Sequence, residues 1–358
     1  MLRRLKKFTI QLLVGANIGV ILLLLLIGFS GHLDPSVHPR LSTLGLTFPA
    51  PLLINFCFLV FWLFAKPRYA LVPFVGFVLA YVPVRAYFPL NVPHSAPEGA
   101  IKVISYNVEG FGFRELKGSN DSINPITAYL RDSKADIICL QEAGGHELRA
   151  DSILKHFYPY TCFQMKDSSG DVLAVYSQYP IQRVERIDYP SRGNLSIACE
   201  LDVNGRKVLL VNNHFETNGL EPEDKDGFRR LVKRDDNYEE AKTDTRNLFV
   251  KLSNASKMRA PQIDQVMRYI SSRRGGKSVI ALGDFNETPI SYSQHRFAEK
   301  LTDCYAATAN GPGFSYNRSH MLVRIDHIFC SDDFTPYACH VDRSVAVSDH
   351  YPVVCWLK

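Results

Sequence analysis

Residues 278–289 read SVIALGDFNETP, an apolar run that ends in Asp284 and Asn286 and is stopped by Pro289. Side chains two apart on a strand share a face. The stretch therefore predicts a buried strand that presents a carboxylate and a carboxamide together where it finishes. A single polar pair of this kind is ordinarily a cap or a satisfied core group. Whether it means more depends on how the other apolar runs end.

They end the same way. Asn107 follows KVISY, Glu142 follows IICLQ, and His214 follows VLLVNN; Asp326 and His327 lie within RIDHIF, and Asp349 and His350 directly precede YPVVCWL. In open α/β sheets, ligand sites form at strand ends. Six such clusters cost stability unless they share one site. Glu142 and carboxamide oxygens suit a hard cation such as Mg²⁺ or Mn²⁺. Two imidazoles add acid–base capacity near neutral pH. Cys/His metal spacing, HExxH, a Walker loop and GxSxG are all missing from the sequence, so zinc hydrolase, kinase and serine hydrolase readings lack support.

From Ile101 onward strand-like and helix-like patterns alternate. IKVISYNV, ADIICLQE, DVLAVYS, LSIACELDV, KVLLVNNHF, SVIALGDF, RIDHIFCS and YPVVCWL read as strands, with an Asn204-Gly205 hairpin turn between two of them. SINPITAYLRD and APQIDQVMRYISSR read as helices. The alternation predicts one α/β sandwich over residues 101–358. Residues 219–260 are highly charged and interrupt this rhythm. They read as an insertion: a solvated helical segment, a lid, a substrate-reading arm or a membrane-facing surface.

The first 90 residues differ in kind. Phe8–Phe29 is almost free of charge and long enough to cross a bilayer. A second apolar stretch is Leu44–Ala65, and a weaker third is Tyr69–Tyr87, interrupted by Pro73 and Pro83. A cleaved signal peptide competes for the first stretch, but its apolar core is long and two further stretches follow. The third could also be re-entrant or interfacial. Arg3, Arg4, Lys6 and Lys7 precede the first stretch, and Lys66 and Arg68 separate the second from the third; the intervening loop holds only Arg40. Positive residues stay inside. This predicts a cytoplasmic N-terminus, three spans in residues 1–90 and an extracytoplasmic remainder, with Arg85 as a counter-indication. Residues 91–100, rich in Pro and small residues, read as a linker.

Charge divides along the same boundary. Of 41 basic and 36 acidic residues, the first 97 hold eight and one, which leaves 33 against 35 beyond them. The positive balance belongs to the anchor, and the remainder is no basic nucleic-acid surface. Eight cysteines include none in a CxxC pair. Cys139, Cys199 and Cys355 sit in apolar runs and read as buried thiols, although an oxidising compartment would allow a disulfide.

In chain order, SYNVEG, LQE, NNHFE, LGDFNETP, RIDHIF and SDHYPVV resemble the motifs of the endonuclease/exonuclease/phosphatase family, over Ile101 to Lys358. The resemblance implies a four-layer α/β sandwich, two mixed β-sheets flanked by helices, with a site dependent on Mg²⁺ or Mn²⁺ at one edge. It implies that Asn107 and Glu142 hold the metal, with Asp349 as a further carboxylate there, directly or through water. A role for Glu109 stays open. By the same resemblance, His214 contacts phosphate or protonates the leaving oxygen, and Asp284 and Asn286 position the attacking water and the phosphate. Asp326 orients His350 beside the scissile phosphorus, and either Asp284 or His350 is the base. The chain departs from the family at Gln178, where many members carry a basic residue, and at Phe314-Ser315-Tyr316 before the last motifs.

The expected function is a membrane-anchored phosphoesterase that hydrolyses phosphodiester or phosphomonoester bonds by in-line attack of water. Its substrate is left open among nucleic acid, phospholipid and small phosphoester. The bilayer is the expected partner through the N-terminal helices, and no protein partner is expected. A non-catalytic binding protein on the same fold is the reading from outside the enzymes; it predicts broken motifs, whereas every principal position is filled.

Overall fold

The computed structural model describes residues 2–112, 123–144, 147–167, 170–220, 224, 238–318 and 321–358. Within them the strands are β1 (Ile101–Asn107), β2 (Ile137–Gln141), β3 (Tyr160–Met165), β4 (Val172–Ser177), β5 (Ile181–Ile187) and β6 (Ser196–Val203). β7 (Arg206–His214), β8 (Ser278–Asp284), β9 (Thr302–Asp303), β10 (Asp326–Cys330), β11 (Pro336–Val341) and β12 (Val353–Leu357) complete the set. They form two six-stranded sheets, ordered β11-β12-β1-β2-β4-β3 and β5-β6-β7-β8-β10-β9. Both are mixed: β1–β2 and β7–β8 are the parallel pairs, and the other pairs are antiparallel.

Strand alternation explains the layering. In β8, Ile280 and Leu282 face the other sheet and join the central core. Val279 and Ala281 face outward, into a second core built with Ile263, Val266 and Phe297. The opposite sheet covers its outer face with Ile126, Leu130 and Leu154. The expected four-layer α/β sandwich is therefore what the chain forms. Seven cysteines are buried, and Cys57 is exposed within the N-terminal segment; all eight are free thiols.

Ahead of the sandwich come α1 (Leu2–Gly28), α2 (Pro49–Ala65), α3 (Leu71–Leu79) and α4 (Tyr81–Tyr87). The first is long and apolar enough to cross a membrane; the other two stretches qualify only if each bent pair counts as one span. The bends are 45° between Pro39–Thr47 and Pro49–Ala65, and 72° between Pro67–Leu79 and Tyr81–Tyr87. Pro83 has no N–H to give the carbonyl of Leu79, which weakens the helix where it breaks. Leu5, Leu12, Leu22, Leu53 and Phe64 face outward, exposed.

The residues read as a linker form no helix or strand, and they are bonded to the sandwich. Asn91 Nδ2 donates to the carbonyls of Ala306 at 3.1 Å and Ala309 at 2.6 Å, and Gly311 N donates to Pro89 O at 2.9 Å. The charged segment does not end where a new helix begins. Tyr238–Arg273 is one 36-residue helix that carries Pro261 inside it. Proline normally breaks such a helix. Here Ile263, Val266, Met267 and Ile270 beyond it pack on the second sheet, and Arg259 and Gln262 bond to the loop after β7, so tertiary contacts override the local penalty. Residues 221–223 and 225–237 of the charged segment lie outside those described.

Candidate active site

Strand register assembles the site. Asn107 pairs with Gln141 across the parallel β1–β2 junction, which sets Glu142 one step beyond. Asp284 pairs with His214 across β7–β8 and with Asp326 across β8–β10. Three polar strand ends thus lie abreast in one sheet, facing the β1–β2 end of the other. Gly283 permits this closeness, because a Cβ there would lie 1.9 Å from the Asn213 carbonyl oxygen.

The side chains converge on Asp284, whose Oδ2 lies 3.6 Å from Nε2 of both His214 and His350. Asn107 Nδ2 donates to that same oxygen at 3.0 Å and to Glu142 Oε1 at 3.1 Å. Each imidazole is held from behind: His350 Nδ1 meets Asp326 Oδ2 at 2.8 Å, and His214 Nδ1 meets Asp171 Oδ2 at 2.7 Å. Asn107, His214, Asp284, Asp326 and His350 are all buried. Glu142 instead opens onto the cleft, its side chain 42 % exposed.

Electrostatics follow from this packing. Burial opposes a charge on His214, but Asp171, Asp284 and Glu142 outweigh it and raise its pKa to about 10. Burial likewise opposes charge on His350, and Asp326 and Asp284 hold its pKa well above the ordinary value. Burial raises the carboxyls of Asp284 and Glu142, against the pull of the imidazoles. Both imidazoles are thus held toward their protonated forms, on either side of Asp284.

The structure brings together Asn107, Glu142, His214, Asp284, Asp326 and His350. Asn286 lies differently from the strand argument. β8 stops at Asp284, and Asn286 adopts a left-handed φ of 52°, so strand alternation no longer applies. Its backbone N–H donates to Asp284 Oδ1 at 2.8 Å, its Nδ2 donates to Phe215 O at 3.1 Å, and it still lines the cleft. Asp349 lines the cleft too, and its N–H donates to Glu109 Oε2 at 3.1 Å. Both Glu109 carboxylate oxygens receive Arg318 at 3.1 Å, which ties the loop after β1 to the loop before β10. Tyr316 sets its ring edge-on to His350 at 5.2 Å. Gln178, the departure expected to alter phosphate binding, is at the far end of β4 on Phe157 O, remote from the site.

Asp171 was missed from sequence, although it opens the strand DVLAVYS. That strand runs antiparallel to β2, so its beginning lies beside the end of β2. The same carboxylate accepts the Glu142 N–H at 3.0 Å through its other oxygen.

The donor set fits a hard divalent cation. Glu142 offers a cleft-facing carboxylate and Asp349 a second one on the cleft lining, while Asn107 turns its Nδ2 to Glu142 and accepts the Glu109 N–H on its Oδ1 at 3.1 Å. Asp284, Asp326 and His350 also present ligand atoms within 4.8 Å of one another. There the His350 Nδ1 is already engaged with Asp326 Oδ2 at 2.8 Å. A cavity of about 540 Å³ opens from these groups.

Residues 104–350 match the family model described as the endonuclease/exonuclease/phosphatase family, and residues 10–87 match a domain of unknown function. No curated protein matches the chain. Among solved structures, an endonuclease/exonuclease/phosphatase from Beutenbergia cavernae is similar with a TM-score of 0.53 and 19% identity, covering 72% of this chain and 71% of that one. An endonuclease/exonuclease/phosphatase from Bacteroides vulgatus gives 0.50 and 15%, covering 73% and 99%. The human Nocturnin catalytic domain with bound sulfate gives 0.50 and 17%, covering 75% and 95%. Identities at this level speak to fold alone; the family match, spanning well over half the residues and reaching from β1 to His350, is what places this chain in the endonuclease/exonuclease/phosphatase family.

Proposed function

We propose that this chain is a membrane-anchored, divalent-cation-dependent phosphoesterase that cleaves phosphodiester or phosphomonoester bonds by in-line attack of water. The observation that carries the reading is Asp284 Oδ2 at 3.6 Å from two imidazoles, each backed by its own carboxylate. Such a site can hold an anionic phosphoryl group and still keep a base. Glu142 and Asn107, with Asp349, would hold Mg²⁺ or Mn²⁺, which when bound would neutralise charge on the phosphate.

In the proposed reaction the water oxygen bonds to phosphorus while the ester P–O bond breaks. Asp284 takes the water's proton; its raised carboxyl suits a base. Protonated His350, oriented by Asp326, binds a non-bridging oxygen. Protonated His214, oriented by Asp171, gives its Nε2 proton to the leaving alkoxide, so charge and atoms balance. Asn286 positions the phosphate beside Asp284. The α1–α4 segment supplies the anchor. The test uses the full chain in detergent, given bis-p-nitrophenyl phosphate and p-nitrophenyl phosphate with Mg²⁺ or Mn²⁺. Turnover abolished by EDTA and restored by metal is expected. Turnover indifferent to both would overturn the metal-dependent reading.

A further inference from the structure

The anchor forms part of the wall of the active-site cleft. Ile290, just past the DFNETP loop, leaves the sandwich and packs in a core with Leu24, Ile27, Phe48 and Ala80 of the N-terminal segment. A Cβ on Gly45 would lie 1.8 Å from the Ile290 carbonyl oxygen, and one on Gly31 would lie 2.5 Å from that of Ser291. His32 stacks on His295 at 3.8 Å. Buried Arg324 donates to the carbonyls of Pro312, at 2.7 Å, and Ala86. The loop that carries Asn286 is thus clamped between the catalytic sheet and the segment joining α1 to α2.

The cavity records the same arrangement. It runs from Glu142, His214, Asp284 and His350 to an apolar gallery. Leu46 and Pro49 line the gallery from the anchor, Leu248, Phe249 and Leu252 from Tyr238–Arg273, and Leu322 from the loop before β10. Leu46 and Leu322 are 39 % and 59 % exposed. Leucines left in water beside a catalytic centre ask for an apolar occupant.

Charge narrows the choice of occupant. Among the described residues, the lysines and arginines lining the cavity are Arg259 and Arg324. Both are buried and engaged, Arg259 with Glu287, the Glu216 carbonyl and Asn218. A nucleic-acid strand needs a basic track along its backbone, and among the described residues this cavity offers none. It offers instead a phosphate end with two imidazoles, and an apolar end walled by the connection between two bilayer-length apolar stretches.

We infer that the site takes amphiphilic phosphate esters: the phosphate lies at Asp284, His214 and His350, and an aliphatic chain drawn from the bilayer lies in the gallery between residues 45–49 and Phe249. This rests on the phosphoesterase reading above and names its substrate class. Each methylene moved from water to an apolar wall favours binding, so chain length is the variable to test.

The full chain in lipid nanodiscs with Mg²⁺ would be given ethyl and decyl p-nitrophenyl phosphate, with ethyl and decyl phosphate in parallel for monoester cleavage. The expected decyl-to-ethyl ratio of kcat/KM is about tenfold or more. Phe249→Glu and Leu46→Glu, on opposite walls, should each reduce that ratio several-fold. Partition into the nanodisc differs between the esters but is the same for wild type and variants, so it cancels when their ratios are compared. Phe249→Ala, a milder change, should lower the ratio in the same direction. A ratio unchanged by these substitutions, with metal-dependent turnover present, would overturn the inference and leave the phosphoesterase reading standing. No metal-dependent turnover of any of the four esters would overturn both.

Discussion

Asp171 and His214 stand 2.7 Å apart, and the second imidazole beside Asp284 therefore has a carboxylate behind it as the first does. Asp171→Asn keeps the size and removes the charge. The imidazolium is the form the proposed acid uses, so activity is lost as pH rises through the His214 pKa of about 10. In the variant that alkaline limb moves to lower pH, and kcat falls on the order of 10²-fold. A pH–rate profile checks both; an unmoved limb would show that Asp171 does not tune His214. Backbone strain collects at the same residues. Glu109, Glu142 and Asn286 have φ of 44°, 51° and 52°, a region that costs non-glycine residues of order 1 kcal/mol each. The turns at Glu142 and Asn286 set those residues on the cleft lining directly after strands end, while Glu109 turns to Arg318.

At the scale of elements, Tyr238–Arg273 braces the catalytic loop. Arg259, buried, meets Glu287 Oε1 at 3.1 Å, and Glu287 Oε2 receives the Ser293 N–H at 3.1 Å. Arg259→Ala leaves a buried carboxylate uncompensated and is expected to cost about 3 kcal/mol. Adding Glu287→Gln should recover part of that. Thermal unfolding of the three chains decides it; a double variant no more stable than Arg259→Ala would contradict the account. The helix also shows what the sequence conceals. β1, β2, β4, β6, β7, β8, β10 and β12 were legible because they are buried apolar runs bounded by turns. β3 and β11 alternate weakly, and β5, with Gln182, Arg183, Glu185 and Arg186, reads as polar; these lie at sheet edges, where one side needs no partner. The long helix was split at Pro261 because local propensity says so and only packing overrides it. Most site residues were visible as strand-end polar groups. Asp171 was hidden because its relevance depends on which strands pair, and Asn286 was placed on a strand that stops two residues earlier.

On the scale of the whole molecule, the N-terminal segment and the sandwich line one cleft. Gly45→Ala tests this coupling. The new methyl meets the Ile290 carbonyl, and the two segments must part at an expected cost of about 1–3 kcal/mol. Gly19→Ala, with nothing within 4 Å of the added atom, is the control. A lowered Tm and a lower kcat/KM are expected for Gly45→Ala but not for Gly19→Ala; equal behaviour would detach the anchor from the site. The central claim is that Asp284, between two imidazoliums, drives hydrolysis of a phosphate ester. Its most direct test is initial-rate hydrolysis of bis-p-nitrophenyl phosphate and p-nitrophenyl phosphate by the full chain with Mg²⁺, wild type against Asp284→Asn. The account predicts turnover in the wild type and a loss of at least about 10²-fold in the variant; equal rates in the two chains would contradict it.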